Sequence, residues 1–146
     1  MAEFKRTAQA IWNGDSRSGN GRISSGSGVL KDVPYTYATR FGDTPGTNPE
    51  ELIAAAHAAC FSMAFAGDLR RGGYQPQRIE TRATCSISRR EQGGFRITRM
   101  RLETRAQVPG IDEATFLRIA QEAKDGCPVS NALRGGVEIE LEATRV

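Results

Sequence analysis

Three cysteines give this 146-residue chain its clearest capacity for chemistry. A thiol attacks electrophiles, binds metals or pairs with another thiol only where its surroundings let it ionise. Cys60 lies in an apolar helical segment, where a thiol is inert unless a cation lies nearby. Cys127 stands between Gly126 and Pro128, at the apparent start of a helical turn whose dipole favours a thiolate. By these local criteria Cys127 is the more nucleophilic thiol.

The remaining candidates have simpler interpretations. Cys85 lies on the apolar face of an alternating strand, so we interpret it as a core residue. His57 precedes Cys60 by three residues and shares its helix face, so a zinc site made of His57, Cys60 and Cys127 is conceivable. No paired-ligand motif accompanies these residues, and we predict neither a metal nor a cofactor.

Composition excludes several classes of protein. The chain is 38% hydrophobic and 25% charged, and 20 Lys and Arg against 17 Asp and Glu leave a net charge of +3. These values predict a single domain over residues 1–146 with no nucleic-acid partner. The longest apolar stretch, residues 52–65, is shorter than the roughly 20 residues of a membrane span. Because the N-terminal residues carry no export signal, we predict a cytoplasmic protein with no membrane association.

A long helix is predicted from residue 50 to residue 71. Asn48 can cap it, Pro49 suits its first position, Glu51 completes a capping box, and Gly72 and Gly73 end it. Its middle is apolar or small on every side, so it must be surrounded by protein. A chain of this size has little material with which to enclose it, so we predict that a second subunit helps, in a homodimer.

Alternating apolar residues predict strands around a second helix, which Asp112 caps and Gly126 ends. In the strand over residues 95–108 the apolar positions slip from odd to even, which predicts a bulge near Thr98 and Arg99. Segregated strands and helices with short connections indicate an α+β fold with antiparallel sheet. The other predicted elements are strands in the first forty residues, including a short aromatic strand over 35–40, strands over 79–87 and 137–143, and a helical turn or two over 128–133.

Several motifs together resemble the osmotically inducible protein C family, a relative of the organic hydroperoxide resistance proteins. Each motif is weak alone, but their order and spacing match the osmotically inducible branch over nearly the whole chain. The matching segments are Trp12-Asn13-Gly14-Asp15, Thr39-Arg40-Phe41, Gly46-Thr47-Asn48-Pro49-Glu50-Glu51-Leu52, Ala56-His57-Ala58-Ala59-Cys60-Phe61-Ser62-Met63, Val108-Pro109-Gly110-Ile111-Asp112 and Gly126-Cys127-Pro128-Val129-Ser130.

The resemblance implies a thiol-dependent peroxidase that reduces organic hydroperoxides to alcohols in oxidative or osmotic stress. It implies an intertwined α+β homodimer, with antiparallel sheets wrapped around long central helices and active sites at the subunit interface. Cys60 is then the peroxidatic thiol and Cys127 the resolving thiol, which reverses the local ranking, and an external dithiol reduces their disulfide. Arg40 and Glu50 match the arginine and glutamate of the family, whereas His57 has no catalytic role that we can assign.

Spacing places a limit on these roles. Glu50 and Cys60 are ten residues apart on one helix, which is roughly 15 Å along its axis. We therefore hypothesise that the Arg40 and Glu50 that serve a given Cys60 come from the partner subunit. Arg17 and Arg22 lie where the organic hydroperoxide branch tends to place its arginine, and Arg40 is the preferred candidate.

Three alternatives remain open at this point. The chain could be a binding protein for small apolar molecules that uses the same interface pocket without turnover. It could be a structural stress protein whose cysteines only pack. It could also be a peroxidase that reduces hydrogen peroxide as well as organic hydroperoxides. Peroxide-dependent closure of a Cys60–Cys127 disulfide separates the first two from an enzyme.

Overall fold

The computed structural model describes residues 2–146, and the chain divides into two compact units, with the division between Pro49 and Glu50. The first unit contains an antiparallel sheet in the order β1-β2-β3 and a short helix, α1. The Trp12 and Tyr35 rings pack 5.2 Å apart across Gly21, where a Cβ atom would collide with both rings. The bounds are β1 Ala8–Asn13, β2 Asn20–Ser25, β3 Val33–Tyr35 and α1 Tyr37–Phe41.

The prediction of an aromatic strand over residues 35–40 is wrong, because the chain turns into α1 directly after β3. Thr36 and Thr39 form a reciprocal capping box. The Thr39 N–H donates to the Thr36 hydroxyl (3.2 Å), and the Thr36 N–H donates to the Thr39 hydroxyl (2.9 Å). Two satisfied backbone donors outweigh the preference of aromatic residues for strands. Arg40 is therefore a helical residue.

The second unit is built on α2, Pro49–Arg71, whose bounds confirm the predicted helix. Its end is set by Gly73, which adopts φ +89° while its N–H donates to the Arg70 carbonyl, and by Tyr74, whose N–H donates to the Leu69 carbonyl. This pattern of hydrogen bonds closes helices at a glycine that tolerates the left-handed conformation.

One face of α2 forms the core of this unit. Phe61, Phe65 and Leu69 are fully buried, and the Phe65 ring meets the Phe116 ring of the following helix edge-on at 5.5 Å. By length and composition alone, α2 would qualify as a membrane span, with a mean hydropathy of 1.5 over its most apolar window. Because its large side chains pack against the protein's own aromatic residues, we interpret it as a core helix.

The opposite face of α2 is exposed in the single chain. Ala55, Ala56, Ala59 and Met63 follow one another at helical spacing, and Met63 is 81% exposed. A helix that is apolar on both faces and covered on one has a further surface to bury.

The sheet of the second unit has the order β4-β5-β6, and two helices follow β5. The predicted bulge is confirmed: Ser86 pairs with Arg99 and Ile87 with Ile97, so Thr98 is the extra residue. Asp112 caps α3 by accepting from the Thr115 N–H (3.0 Å), also as predicted. The bounds are β4 Arg78–Arg89, β5 Phe95–Gln107, α3 Glu113–Gly126, α4 Pro128–Leu133 and β6 Glu138–Arg145.

The prediction of antiparallel sheet holds for β4 and β5 and is wrong for β6, which pairs parallel to β5. The reason is the connection, because α3 and α4 carry the chain back along the sheet before β6 begins. Such a helical crossover returns a strand in the same direction, whereas a hairpin reverses it. The fold is mixed α+β, with one antiparallel and one mixed sheet.

Candidate active site

Two thiols from distant parts of the chain meet in the second unit. The Cys127 Sγ lies 2.9 Å from the Cys60 Sγ, and neither cysteine is in a disulfide. α2 supplies Cys60, which is partly exposed, and the junction between α3 and α4 supplies Cys127, which is fully buried. Because α3 ends at Gly126 and α4 begins at Pro128, Cys127 is fixed from both sides.

The surroundings of Cys60 favour its neutral form. Burial raises the pKa of its thiol, and the neighbouring Cys127 thiol raises it further, while a hydrogen bond from the Val129 backbone N–H opposes them. A thiol in this position needs a positive charge from elsewhere before it becomes a nucleophile at neutral pH.

A cleft of about 370 Å³ opens beside Cys60. Met63, Ala64, Gly67 and Pro128 give it an apolar wall, so a small alkyl group can lie next to the thiol. Asp68 and Arg71 also line the cleft, and the carboxylate of Asp68 pairs with the guanidinium of Arg71.

A second pair of side chains joins the same two helices. His57 is fully buried on α2, and its Nε2 lies 2.8 Å from the Oγ of Ser130, which is fully buried on α4. Burial lowers the pKa of His57, so the ring is neutral at physiological pH. This pair joins residues 73 positions apart, and no local signal in the sequence could have revealed it.

Glu50 and Cys85 lie apart from the thiol pair. Glu50 is buried in the first turn of α2, ten residues before Cys60. Burial raises the pKa of Cys85 on β4, and the charge of Glu50 raises it further. Cys85 is half-buried rather than fully buried, so our interpretation of it as a core residue is only partly correct.

The arginine candidates all lie in the first unit. The Arg40 guanidinium lies over the Phe41 ring, with 5.0 Å between the guanidinium carbon and the ring centroid. Arg17 lies similarly over the Tyr37 ring at 5.2 Å, and Arg22 donates to the Asp32 carbonyl (3.2 Å). The structure thus brings Cys60 and Cys127 together in the second unit, and the association of Arg40 with Glu50 and Cys60 stays a prediction. Among residues 2–146, no group of three or more His, Cys, Asp or Glu side chains is arranged to hold a metal ion.

Comparison with known proteins assigns the chain to a family. The family model described as OsmC-like protein matches residues 41–142, a stretch that crosses the division between the two units. Peroxiredoxin OsmC of Escherichia coli (strain K12) is 47% identical over 137 residues, which are 94% of this chain and 95% of that protein. Organic hydroperoxide resistance protein OhrB of Bacillus subtilis (strain 168) is 34% identical over 124 residues, which are 84% of this chain and 88% of that protein.

Solved structures agree with this assignment. The crystal structure of a Legionella pneumophila protein described as an organic hydroperoxide resistance protein OsmC superposes with a TM-score of 0.76 at 26% identity, covering 99% of each chain. The crystal structure of OhrB of Bacillus subtilis superposes with a TM-score of 0.71 at 29% identity, covering 94% of this chain and 98% of that one. Sequence, fold and the order of the motifs agree, and the chain belongs to the OsmC family.

Proposed function

We propose that this protein is a cysteine-based peroxidase that reduces organic hydroperoxides to alcohols. The observation that carries the proposal is the pair of free thiols, 2.9 Å apart, beside an apolar cleft. The names of the relatives, peroxiredoxin and organic hydroperoxide resistance protein, support the same class of substrate.

Cys60 is the thiol that attacks the peroxide, because it borders the cleft whereas Cys127 is fully buried. Its thiolate bonds to the terminal peroxide oxygen, the O–O bond breaks, and the departing alkoxide takes up a proton to leave as the alcohol. The sulfur loses two electrons and becomes a sulfenic acid. The apolar wall favours alkyl hydroperoxides over hydrogen peroxide, since burial of an alkyl group contributes binding energy.

Cys127 performs the second step. Its sulfur attacks the Cys60 sulfur, the S–S bond forms, and the hydroxyl of the sulfenic acid leaves with the Cys127 proton as water. An external dithiol then returns both cysteines to thiols by disulfide exchange and is itself oxidised to a disulfide. No cofactor enters this cycle.

Arg40 is the residue that we expect to ionise Cys60. The described surroundings keep the thiol neutral, so a guanidinium beside it would hold the thiolate and polarise the peroxide. Glu50 would orient that guanidinium through bidentate hydrogen bonds. Since Glu50 lies roughly 15 Å along the helix from Cys60, we assign Arg40 and Glu50 of one subunit to the Cys60 of the other.

This assignment requires the intertwined homodimer. The exposed face of α2, with Ala55, Ala59 and Met63, is the surface that a second copy would cover. Small side chains at helical spacing let two such helices approach closely, and burial of this face offsets the cost of association. We place the dimer in the cytoplasm, where thiols are kept reduced.

The decisive experiment titrates the reduced protein with cumene hydroperoxide and maps its disulfides by mass spectrometry. The wild type should close one Cys60–Cys127 disulfide per chain with one equivalent of peroxide and release one equivalent of alcohol. Cys127→Ser should stop at a Cys60 sulfenic acid that dimedone traps, and Cys60→Ser should consume no peroxide. Cys85→Ser is the matched control, because it removes a half-buried thiol and should leave the stoichiometry unchanged.

The same titration decides between the alternatives. Failure of the wild type to oxidise at a modest peroxide excess contradicts the peroxidase. Ligand binding without oxidation would then favour a binding protein for small apolar molecules, and neither binding nor oxidation would favour a structural protein. Equal rates with hydrogen peroxide and cumene hydroperoxide would contradict the role given to the apolar wall.

Mixed dimers test the assignment of Arg40 to the partner subunit. Arg40→Ala and Cys60→Ser should each be inactive, but a mixed dimer has one site in which both residues are intact if Arg40 acts across the interface. Equimolar mixing after subunit exchange should restore about a quarter of wild-type activity. No recovery, with exchange verified by mass spectrometry, would place Arg40 and Cys60 of one site on the same chain.

A further inference from the structure

Two side-chain pairs join α2 to the start of α4 in opposite order along the two helices. Cys60 meets Cys127, and His57, three residues earlier on α2, meets Ser130, three residues later on α4. Three residues correspond to about 4.5 Å along a helix axis, so the two pairs are neighbouring links between the same elements. The Cys60–Cys127 link is covalent only after oxidation, whereas the His57–Ser130 link is a hydrogen bond that does not depend on redox state.

The polar character of the His57–Ser130 pair argues against side chains that only fill space. His57 and Ser130 are both fully buried, and burying polar groups costs free energy that an apolar pair would not incur. The bond to Ser130 is the one side-chain hydrogen bond of His57 among the described residues, and its Nδ1 has no partner there. What this pair provides beyond packing is a directional link of fixed length between α2 and α4.

Resolution depends on how α4 is held. Cys127 has to stay within reach of Cys60 when no bond joins the two sulfurs, and α4 is only six residues long. The backbone N–H of Val129, on the same helix, favours the thiolate of Cys60, so the thiol also depends on where this helix lies. An additional fixed link reduces the conformations open to the dithiol and raises the effective concentration of one thiol at the other.

We propose that the His57–Ser130 hydrogen bond is a positioning element that holds the resolving thiol against the peroxidatic thiol in the reduced protein. This role refines the proposed peroxidase and rests on it for its biological meaning. The equilibrium between the Cys60–Cys127 dithiol and its disulfide can be measured without any peroxide. His57 and Ser130 do not touch the substrate in this role and act through the place that they give to Cys127.

The test is a redox titration of the full-length protein in glutathione buffers. The bond is removed from each side by Ser130→Ala and His57→Leu, and from both sides in the double variant. Without the His57–Ser130 hydrogen bond the dithiol form samples more conformations, whereas the S–S bond still holds the two cysteines together in the disulfide form. The equilibrium constant for disulfide formation should therefore fall roughly three- to tenfold. A tenfold fall corresponds to a reduction potential about 30 mV less negative. The double variant should fall no further than the single variants, because all three lack the same bond.

Ser62→Ala is the matched control. It removes a serine hydroxyl from α2 that bonds Thr81 on β4 at 2.8 Å and does not involve α4. Its potential should equal that of the wild type even where its unfolding temperature falls as far as that of Ser130→Ala. An unchanged potential in Ser130→Ala, or equal shifts in Ser130→Ala and Ser62→Ala, would overturn the proposal. So would additive shifts in the double variant.

A peroxide pulse gives the kinetic counterpart. In Ser130→Ala the Cys60 sulfenic acid should form at the wild-type rate, but the disulfide should close more slowly. A larger share of Cys60 then reaches the sulfinic acid at high peroxide. Slower sulfenic acid formation together with unchanged closure would contradict the assignment. If no cysteine reacts with peroxide, the proposed function fails, and the glutathione titration still decides whether the bond positions Cys127.

Discussion

Oxidation to the Cys60–Cys127 disulfide should stabilise the protein against unfolding. The two sulfurs lie 2.9 Å apart as free thiols, and a disulfide needs about 2.05 Å, so bond formation requires a shift of about 1 Å. A shift of this size is within the reach of small side-chain rotations. We therefore expect the folded protein to accept the cross-link with little strain.

The magnitude follows from the length of chain that the cross-link closes. Cys60 and Cys127 are 67 positions apart, and a loop of that length removes enough entropy from the unfolded chain to stabilise the fold by about 4 kcal/mol at 25 °C. For a domain of this size the entropy of unfolding is about 0.3 kcal/mol/K near the transition. The unfolding temperature should then rise by about 10–15 °C on oxidation.

Urea unfolding followed by circular dichroism measures the difference. Reduced and diamide-oxidised protein are compared in a Cys85→Ser background, which prevents mixed pairing. Both are measured at one protein concentration, because the stability of the proposed dimer depends on concentration. Cys127→Ser treated in the same way is the control and should gain nothing. The urea dependence should be shallower for the oxidised form, whose unfolded state is more compact.

A gain below about 1 kcal/mol, or a loss, would refute the reasoning. It would mean that the sulfurs have to leave their native places to bond. The strain of that movement would then cancel the entropic gain.

Three further predictions concern packing, capping and association. Phe65→Ala should lower the free energy of unfolding in urea by about 3–5 kcal/mol, because the Phe65 ring is fully buried. Val29→Ala, at an 85% exposed position, should change it by under about 0.5 kcal/mol, and similar losses for both variants would contradict the assigned core. Asp112→Asn should lower the urea midpoint of unfolding at neutral pH, because hydrogen bonds from Thr115 lower the pKa of Asp112 below 3.8 in the folded state and the charged form therefore stabilises the fold above pH 3.8. The difference in midpoint between the variant and the wild type should disappear as the pH falls through the folded-state pKa, and a difference that does not depend on pH would rule out the charged cap. Ala59→Glu places a charge on the exposed face of α2, which is the proposed dimer interface. It should give monomers in sedimentation velocity and lose the proposed peroxidase activity, whereas a fully active dimer would exclude this face from the interface.

The elements with local signals could be predicted from the sequence. Pro49 and Gly72 bracket α2, Asp112 caps α3, and each of these signals acts within a few residues. The bulge at Thr98 could be predicted because the apolar side chains switch from one face of the strand to the other, which an extra residue explains. The start of α1 also carried a local signal, the Thr36 and Thr39 pair, which the aromatic residues around it obscured.

Features that depend on distant contacts could not be predicted from local patterns. The alternation in β6 fits a parallel neighbour as well as an antiparallel one, so the direction of pairing depends on the route of the chain through α3 and α4. Local physics ranked Cys127 above Cys60, because neither the burial of Cys127 nor the Val129 N–H at Cys60 is visible in the sequence. The family resemblance gave the opposite roles and implied the pairing of the two thiols, 67 positions apart, and the structure brings their sulfurs to 2.9 Å.

The parallel pairing of β6 with β5 has a consequence for the order of folding. β4 and β5 are joined by a short turn, in which the Arg90 N–H donates to the Gly94 carbonyl, so their hairpin can form within microseconds. β6 has to wait for the crossover, since closing a long loop costs entropy before its contacts repay it. Cys127 lies on that crossover, so during the early stages of refolding it is not yet beside Cys60 or Cys85. Refolding in oxidising buffer should accordingly trap Cys60–Cys85 and intermolecular disulfides, and refolding under reduction followed by oxidation should give the native pair.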